Sequence, residues 1–381
     1  MNWRYIADDG VTGADGLALD EALMTGHARG RVAAPVLRLY TYANHVALCG
    51  RYQHIDAEID LDACARTGTE VGRRPTGGGA IVMGAGQLGV GVVTNAPVAE
   101  RPKELLERFS LGIVAGLATI GIDAQFAGKN DLKVAGRKIA GLGLYLDGEG
   151  GLLFHSSILA DLDIEFMLSV LAVPAAKLGS AGASAVAERI TTVSRETGQS
   201  WTGASLRDVV ARGFSNAMGI ELLASSPTDD ETSRANELAD HKYRTDDWRF
   251  QRSPQADTTS SSVLRTPGGL VRVYVALQGD TIKSAMFTGD FNEMPLALAE
   301  YESVLKWARA DPEALLALAR RTCGDDTGLG VPTEQIAGAV WQAAEQAMQH
   351  GVAAPLIEGS CYFPETSEVL AAKVLTSEVL A

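Results

Sequence analysis

The segment of the chain best suited to chemistry has two arginines directly before three consecutive glycines. Glycine loses the most backbone entropy on folding, so three in a row predict a main chain that lies against something without intervening Cβ atoms. Backbone N–H groups freed in this way, together with forked guanidinium donors, suit a phosphate or a carboxylate. A tight turn between strands is the alternative. We predict an anion-binding loop made of Arg73, Arg74, Gly77, Gly78, Gly79 and Ala80.

A second segment, residues 130–141, places a lysine on a predicted strand beside small residues. Strand alternation makes Lys138 face away from Arg137 and Ile139, and Gly141 leaves space beside it. A lysine on an inner face needs an anionic partner, because its desolvation is otherwise costly. That partner is either a ligand or a neighbouring carboxylate, and the segment alone leaves both open.

The usual nucleotide-binding motifs do not accompany these segments. A P-loop pattern, Gly-x-x-x-x-Gly-Lys-Ser/Thr, is absent from the sequence. Residues 84–89 do spell G-x-G-x-x-G, but the residues that follow are strand-like. A fingerprint of this kind without its helix has no helix dipole to hold a pyrophosphate, so we interpret the match as accidental.

The elements that must position these residues are mostly short strands broken by glycines. A helix is predicted over residues 101–120, where apolar residues recur every three or four positions, and further helical patterns cover 164–171 and 206–218. Together they predict an α/β domain, a mixed sheet with interspersed helices, over residues 1–225. The predicted strands are 36–42, 46–49, 79–83, 88–94, 131–134, 137–146 and 152–159.

A polar connector, residues 226–258, separates this domain from a second one at 259–350. The three serines at 260–262 are predicted as a loop, followed by a hairpin of strands 270–277 and 281–287. Helices are predicted at 295–310, 312–322 and 332–350, so the second domain is a small α+β unit. The remaining tail, 351–381, repeats TSEVLA and has no functional interpretation.

Composition and charge narrow the classes of protein. The chain has 381 residues, of which 46% are hydrophobic, enough for one large core and a second, smaller one. No run approaches the roughly 18 apolar residues of a membrane span, and the start lacks a signal-peptide pattern, so we expect a cytoplasmic protein. A net charge of −14 argues against nucleic acid as a partner.

The cysteines form neither a disulfide framework nor a zinc site. Cys49, Cys64, Cys323 and Cys361 are scattered without a C-x-x-C pair. We therefore expect reduced thiols. Between Cys64 and Cys323 there is no cysteine, so the predicted site contains no thiol nucleophile of its own.

Three motifs in order resemble those of the lipoate–protein ligase A family. They are R-R-P-T-G-G-G-A at residues 73–80, N-D-L-x-V-x-G-R-K-I-A-G at 130–141 and L-F-H-S-S-I-L at 153–159. Weaker matches flank them, and the similarity extends over residues 5–348. The weaker matches lie at 16–23, 37–40, 49–53, 242–248 and 288–291.

The resemblance implies a catalytic domain like that of class II aminoacyl-tRNA and biotin synthetases, followed by a small accessory domain. It implies that lipoate is activated with ATP to lipoyl-AMP and transferred to a lysine of a lipoyl-carrier protein, either a 2-oxoacid dehydrogenase E2 subunit or the glycine cleavage H protein. Lys138 would be the catalytic cation at the carboxylate and α-phosphate. Mg²⁺ would carry the pyrophosphate, with Asp131 as its ligand. The residues implied to bind substrate or nucleotide are Arg73, Arg74, Gly77, Gly78, Gly79, Ala80, Asn130, Asp131, Lys138 and Gly141.

Two positions depart from the family pattern, and three other functions compete. Met83 stands where many members have histidine, and Ser156 replaces a frequent glycine after His155, which we interpret as a structural residue. An octanoyl- or lipoyltransferase on the same fold would use a cysteine thioester without ATP. The others are a non-catalytic lipoate-binding module and an RNA binder, which the net charge disfavours. We expect a monomer and leave the choice between lipoate and octanoate open.

Overall fold

The computed structural model describes residues 2–27, 33–97, 100–172 and 182–349. The chain divides into two compact units, the first formed by Met1–Ser253 and Thr288–Met294, the second by Pro254–Phe287 and Pro295–Ala381. The predicted connector therefore folds with the first unit as far as Ser253. The division into a catalytic and an accessory domain stays a prediction, and the TSEVLA tail lies outside the described residues.

The first unit is built on an eight-stranded mixed sheet in the order β11-β1-β2-β6-β10-β9-β8-β7. Strand β1 pairs in parallel with β2 and β11, whereas the pairs from β2 to β7 are antiparallel. A smaller sheet has the order β4-β3-β5. The strands are β1 (Asn2–Val11), β2 (Val36–Tyr42), β3 (Val46–Cys49), β4 (Glu70–Arg73), β5 (Ile81–Met83), β6 (Gln87–Asn95), β7 (Gln125–Ala127), β8 (Asp131–Val134), β9 (Arg137–Leu146), β10 (Gly151–Leu159) and β11 (Glu221–Ala224).

Helices cover both faces of the large sheet. Helix α1 packs on one face, against β2, β6 and β10, while α3 and α7 pack against each other on the opposite face. The helices of this unit are α1 (Gly13–Thr25), α2 (Leu61–Thr67), α3 (Pro102–Ala118), α4 (Ile164–Val170), α5 (Gly182–Ala187), α6 (Val193–Thr197), α7 (Gly203–Met218), α8 (Asp229–Leu238) and α9 (Asp246–Arg249).

The main hydrophobic core lies between the sheet and the pair α3 and α7. Val90, Val92 and Phe154 point to this face because alternate strand residues share a face, and they meet Ile113 of α3 and Phe214 of α7. Helix α3 occupies most of the predicted 101–120 span, since its apolar stripe is the one buried here. The candidate active site lies on the opposite face of the same strands.

The second unit is a three-stranded antiparallel sheet with helices. Strand β13 (Gly269–Gln278) lies between β12 (Ser260–Thr266) and β14 (Thr281–Gly289), and the last residues of β14 belong to the first unit. Helix α12 (Thr333–Gln349) packs on β12 and β13. The other two helices are α10 (Leu296–Leu305) and α11 (Pro312–Cys323).

The predicted loop of three serines in this unit is wrong, because these serines begin strand β12. Ser262 is buried in the strand, and its hydroxyl donates a hydrogen bond to the carbonyl of Ala339 at 2.6 Å. A polar residue is tolerated in a buried strand when its hydroxyl has such a partner. The sequence around Ser262 gives no indication of this hydrogen-bond partner, which is 77 residues away.

The predicted fold class, an α/β mixed sheet with helices followed by a small α+β unit, is confirmed. None of the helices in the described part of the chain is long and apolar enough to cross a membrane.

Candidate active site

On the face of the large sheet that packs against helix α1, four glycines form much of the surface. Two rows of paired residues cross strands β2, β6, β10 and β9 on this face. The first row is Tyr40, Gly89, Ser157 and Gly141, and the second is Arg38, Gly91, His155 and Gly143. Because these glycines have no side chains, the side chains of Tyr40, Lys138 and Thr76 pack directly on Gly89, Gly141 and Gly143, respectively. We call these two rows the glycine floor.

The predicted glycine loop borders the floor and is held by Arg74. The guanidinium of Arg74 donates to the carbonyls of Leu48 (3.0 Å), Gly77 (2.8 Å) and Gly79 (2.7 Å). Burial lowers the pKa of Arg74 to about 10, so the group stays protonated at neutral pH. Its charge therefore lies directly behind the loop.

The chain itself accounts for part of the glycine requirement. A Cβ atom on Gly77 would lie 2.2 Å from the carbonyl oxygen of Asn292. Gly78 has a φ of +91°, which favours glycine, and its N–H donates to the carbonyl of Phe291 at 3.0 Å. The bare backbone of the loop thus lies against the segment Thr288–Met294 as well as facing the floor.

Arg73 has a different position from its neighbour. Its guanidinium is fully buried and donates only to main-chain carbonyls. These belong to Gly50 (2.8 Å), Arg51 (3.0 Å), Gln53 (2.7 Å), Trp248 (3.1 Å) and Arg249 (2.8 Å). In this position Arg73 holds several loops together and does not reach the floor.

Lys138 lies over the floor, next to Gly141. Its ammonium group forms an ion pair with Asp131 at 2.7 Å, and the two side chains are 37% and 27% exposed. Asn130, beside Asp131, donates to the carbonyl of Leu142 (2.9 Å) and to the side chain of Asn292 (3.2 Å). Lys138 therefore has a neighbouring carboxylate as its partner, and it is also exposed enough to meet a ligand. The two alternatives left open by the sequence are thus compatible.

These elements enclose a narrow cleft of about 80 Å³, which we call the inner cleft. It brings together seven of the predicted residues, namely Arg74, Gly77, Gly78, Gly79, Asn130, Lys138 and Gly141. Arg73, Ala80 and Asp131 do not line it. The other lining residues are Leu17, Tyr40, Tyr42, Leu48, Thr76, Ile81, Met83, Leu142, Gly143, His155, Ser156 and Ser157.

A buried charged network, which the sequence did not predict, lies behind the wall of the inner cleft formed by Tyr40 and His155. Asp20 of α1 is fully buried and accepts hydrogen bonds from Arg38 (2.9 Å) and Tyr40 (3.1 Å). His155 lies 2.7 Å from the same carboxylate through Nε2. An aspartate within the apolar run of α1 was the only available signal. His155 therefore has a buried anionic partner as well as a place on the cleft wall.

The charges of this network are mutually dependent. Burial acts to raise the pKa of Asp20, but the charge of Arg38 and the hydrogen bond from His155 outweigh it and lower that pKa. Burial likewise opposes the charged form of Arg38, but Asp20 outweighs it and raises the pKa of Arg38. The aspartate is therefore ionised at neutral pH although no water reaches it.

The two cysteines of the first unit are unsuited to nucleophilic chemistry. Cys49 is fully buried, and burial raises the pKa of its thiol to about 12. Burial also raises the pKa of Cys64. Because the thiolate is the reactive form, a raised pKa makes each a poorer nucleophile at neutral pH, and neither lines the inner cleft.

A metal would find few protein ligands here. Among the residues that the structure describes, no three His, Cys, Asp or Glu side chains cluster closely enough to hold an ion. Asp131 offers one carboxylate, which is paired with Lys138. Such a site fits Mg²⁺ only when phosphates and water supply the remaining ligands.

A narrow cleft over a glycine floor, with the ammonium group of Lys138 on one side, has the shape and charge to hold a small anion. The chain belongs to the lipoyl protein ligase A/B family, whose catalytic domain matches residues 12–215. The resemblance found in the three sequence motifs is thereby confirmed.

Relatives of both chemical types occur within this family. The chain is similar to the octanoyltransferase LipM of Geobacillus kaustophilus, with 30% identity over 66% of this chain and 98% of that protein. The solved structure of a bipartite lipoate protein ligase, described with its E2 lipoyl domain, from Thermoplasma acidophilum has 28% identity and a TM-score of 0.60, covering 67% of this chain and 98% of its own. A lipoate-protein ligase A bound with ATP has 27% identity and a TM-score of 0.58, covering 66% and 99%. Identity alone therefore does not separate ligase from transferase.

Proposed function

We propose that this protein is an ATP-dependent lipoate–protein ligase that forms lipoyl-AMP and transfers the lipoyl group to a lysine of a lipoyl-carrier protein. The observation that carries the proposal is the state of the thiols in the first unit. A transferase that works through a thioester needs a reactive cysteine beside its acyl group. Cys49 and Cys64 are buried, have raised pKa values and do not line the inner cleft.

The inner cleft supplies what activation of an acid requires. We assign the acyl chain to the glycine floor, where the walls formed by Leu17, Leu48 and Met83 are apolar. The cleft is narrow, so binding of the chain would require these walls to move apart. Lys138 is then placed to offset the negative charge that develops when the carboxylate attacks the α-phosphate. The attack of the carboxylate on the α-phosphate forms the mixed anhydride and releases pyrophosphate.

The nucleotide would lie at the end of the inner cleft that holds Lys138 and Asn130. The main-chain N–H groups of Gly77 and Gly79, backed by the charge of Arg74, suit a phosphate, whereas the N–H of Gly78 donates to Phe291. Mg²⁺, when bound, would neutralise the phosphates, and Asp131 is its candidate protein ligand. Binding of a metal there requires Asp131 to leave its ion pair with Lys138.

Octanoyl transfer is the second candidate, and the similarity to LipM octanoyltransferases favours it. Its nucleophile would have to be a cysteine outside the inner cleft. Cys323 is buried in the second unit, and Cys361 lies outside the described residues. The two functions therefore make opposite predictions for a protein without cysteines.

The deciding experiment uses the full chain with Cys49, Cys64, Cys323 and Cys361 all replaced by alanine. Wild type and variant are incubated with an apo lipoyl domain and either lipoate, ATP and Mg²⁺ or an octanoylated carrier protein, and the lipoyl domain is weighed by mass spectrometry. A ligase adds the lipoyl mass only with ATP, and the variant remains active. ATP-independent octanoylation that the variant loses would establish the transferase instead.

A non-catalytic lipoate-binding module is a third possibility, and the same assay addresses it. Such a protein binds lipoate in a calorimetric titration but modifies no lipoyl domain with either acyl source. The wild type is expected to support lipoate-dependent exchange of pyrophosphate into ATP, which no binding module does.

A further inference from the structure

A second cleft opens beside the inner cleft, and the roles assigned above do not use it. This outer cleft has a volume of about 530 Å³, and the two clefts share Gly77. Strand β9 also joins them, since Leu142 and Gly143 line the inner cleft and Leu144 to Leu146 line the outer one. The outer cleft is lined by Arg51, Tyr52, Pro75, Gly77, Pro102, Lys103, Leu106, Gly128, Lys129, Leu144, Tyr145, Leu146, Asn292 and Glu293.

The outer cleft is cationic although the whole protein carries a net charge of −14. Arg51, Lys103 and Lys129 line it, against the single carboxylate of Glu293. Arg51 forms no ion pair among the residues the structure describes, and Lys103 only approaches Glu107 at 3.9 Å. Asp290 lies near Lys129 and reduces the local charge without cancelling it. The cleft therefore attracts an anionic surface.

The outer cleft also has the side chains typical of a protein interface. The guanidinium of Arg51 stacks over the rings of Tyr145 (5.3 Å) and Tyr52 (5.8 Å). Leu146 at its edge is 44% exposed. Arginine and tyrosine surrounded by lysines are enriched where proteins bind one another, whereas a polyphosphate would gain nothing from the leucine and the tyrosines.

We propose that the outer cleft docks the acidic surface around the acceptor lysine of the lipoyl-carrier domain. The inference rests on the part of the proposed function that ligase and transferase share, transfer of an acyl group to a carrier lysine. An acyl group held on the glycine floor leaves the outer cleft as the adjoining open space. The acceptor lysine of a carrier docked in the outer cleft would extend its four-carbon side chain into the inner cleft beside Gly77, which lines both clefts.

Charge reversal in the full-length protein tests this docking site. Arg51→Glu and Lys129→Glu are compared with Arg212→Glu, which changes an exposed arginine of α7 outside both clefts. Binding of an isotope-labelled apo lipoyl domain is followed by NMR titration at low and high salt. The first two variants should weaken binding about tenfold or more, as like charges across an interface do. Salt should weaken the wild-type complex, and Arg212→Glu should bind as wild type does.

A second measurement distinguishes carrier docking in the outer cleft from binding of polyphosphate by the same basic side chains. Lipoate-dependent pyrophosphate exchange needs no carrier, so both variants should retain the wild-type KM for ATP. A raised KM for ATP with unchanged carrier binding would mean that the outer cleft holds polyphosphate and would overturn the proposal. Equal binding by all three variants would overturn it as well. If wild type shows no exchange, the ligase assignment fails, while the titration still decides the docking site.

Discussion

At the scale of single residues, Lys138 is the group on which the proposed chemistry depends most. It lies over Gly141 in the inner cleft, and Asp131 is its ion-pair partner. Both side chains are partly exposed, so the pair contributes little to stability. The same ammonium group can contribute much more to a transition state that forms away from water.

Replacing Lys138 by alanine should therefore affect the reaction and leave the fold intact. We expect kcat for lipoylation to fall about 100-fold or more, because one preorganised electrostatic donor is lost. The unfolding midpoint in urea should stay close to that of wild type. Lys133→Ala is the matched control, since Lys133 pairs with Lys138 across β8 and β9 but does not line the inner cleft. Equal activity of Lys138→Ala and this control would remove Lys138 from the mechanism.

Asp20 illustrates how one buried group links stability to pH. Its pKa is lowered in the folded protein, so its stabilising contribution is present above its unfolded pKa of about 4 and is lost as the pH falls through the folded value. Glu231, paired with Arg4, and Asp9 have lowered pKa values and act in the same direction. The protein should lose stability below about pH 4.

The variant Asp20→Asn isolates the contribution of this carboxylate. At neutral pH it should lower the free energy of unfolding by about 3 kcal/mol or more, because Arg38 loses the fully buried member of its two carboxylate partners. Its stability should then decline less steeply than that of wild type below about pH 4. Urea unfolding across the acid range measures both effects. Parallel curves for the two proteins would show that Asp20 is not ionised in the native state.

At the scale of elements, the glycine loop depends on a distant part of the chain. Gly77 is confined by the main chain of Phe291 and Asn292, and the N–H of Gly289 donates to the carbonyl of Tyr52 at 2.9 Å. One side of the loop is therefore packed against the protein even when no ligand occupies the other side. Its conformation is set before any ligand binds.

Gly78→Val should prevent lipoate binding, since the loop loses the backbone conformation that it needs. A Cβ atom at this position would lie 3.0 Å from the guanidinium of Arg74, and the φ of +91° is strained for any side chain. Gly136→Val is the matched control, because Gly136 has a φ of +80° and no neighbouring atom within 4 Å of its added Cβ. Calorimetric titration with lipoate should show binding to the control alone. Normal affinity in Gly78→Val would mean that the loop is only a turn.

Periodicity predicted most of the elements of the first unit, because each strand or helix buries one face on the sheet core. Helix α3 and strands β2, β8 and β9 were found close to their predicted bounds. The amino-terminal strand β1 and helix α1 were not predicted, since the polar ends of β1 hide its alternation and the small and apolar residues of α1 show no clear stripe. Contacts between distant residues, such as Gly77 with Asn292 or Asp20 with His155, leave no local pattern.

The same limit applies to the predicted site residues. The motifs placed Arg74, Gly77 and Lys138 in one predicted site, and all three line the inner cleft. They gave no means of distinguishing Arg73 from Arg74, although Arg73 donates to carbonyls away from the inner cleft and Arg74 donates to carbonyls of the glycine loop. Adjacent residues on a strand point to opposite sides, and only the structure shows which side is the site.

At the scale of the whole molecule, the first unit is not continuous in sequence. It takes its last segment, Thr288–Met294, from between two parts of the second unit. The chain therefore cannot be divided at Ser253 without removing part of the first unit. Separate expression of the two units should fail for this reason, although each is compact.

A chain that ends at Ser253 should show this dependence. Without Phe291 and Asn292 the glycine loop loses its backing, and we expect lipoate affinity to fall at least tenfold even where the sheet still forms. Circular dichroism reports the sheet, and calorimetry reports the affinity. A chain ending at Gln349 controls for shortening as such. Equal affinity of both shortened proteins would show that the segment does not support the loop.

If the acyl chain lies on the glycine floor as proposed, the floor also limits the length of the acid. The ring of Tyr40 covers Gly89, and Lys138 lies over Gly141, so the row between them spans two strand spacings, about 9.5 Å. An acid lying straight along that row has Lys138 at one end and a tyrosine ring at the other, so a much longer fatty acid cannot be accommodated. Because that ring lies directly on Gly89, this limit on chain length is built into the sheet.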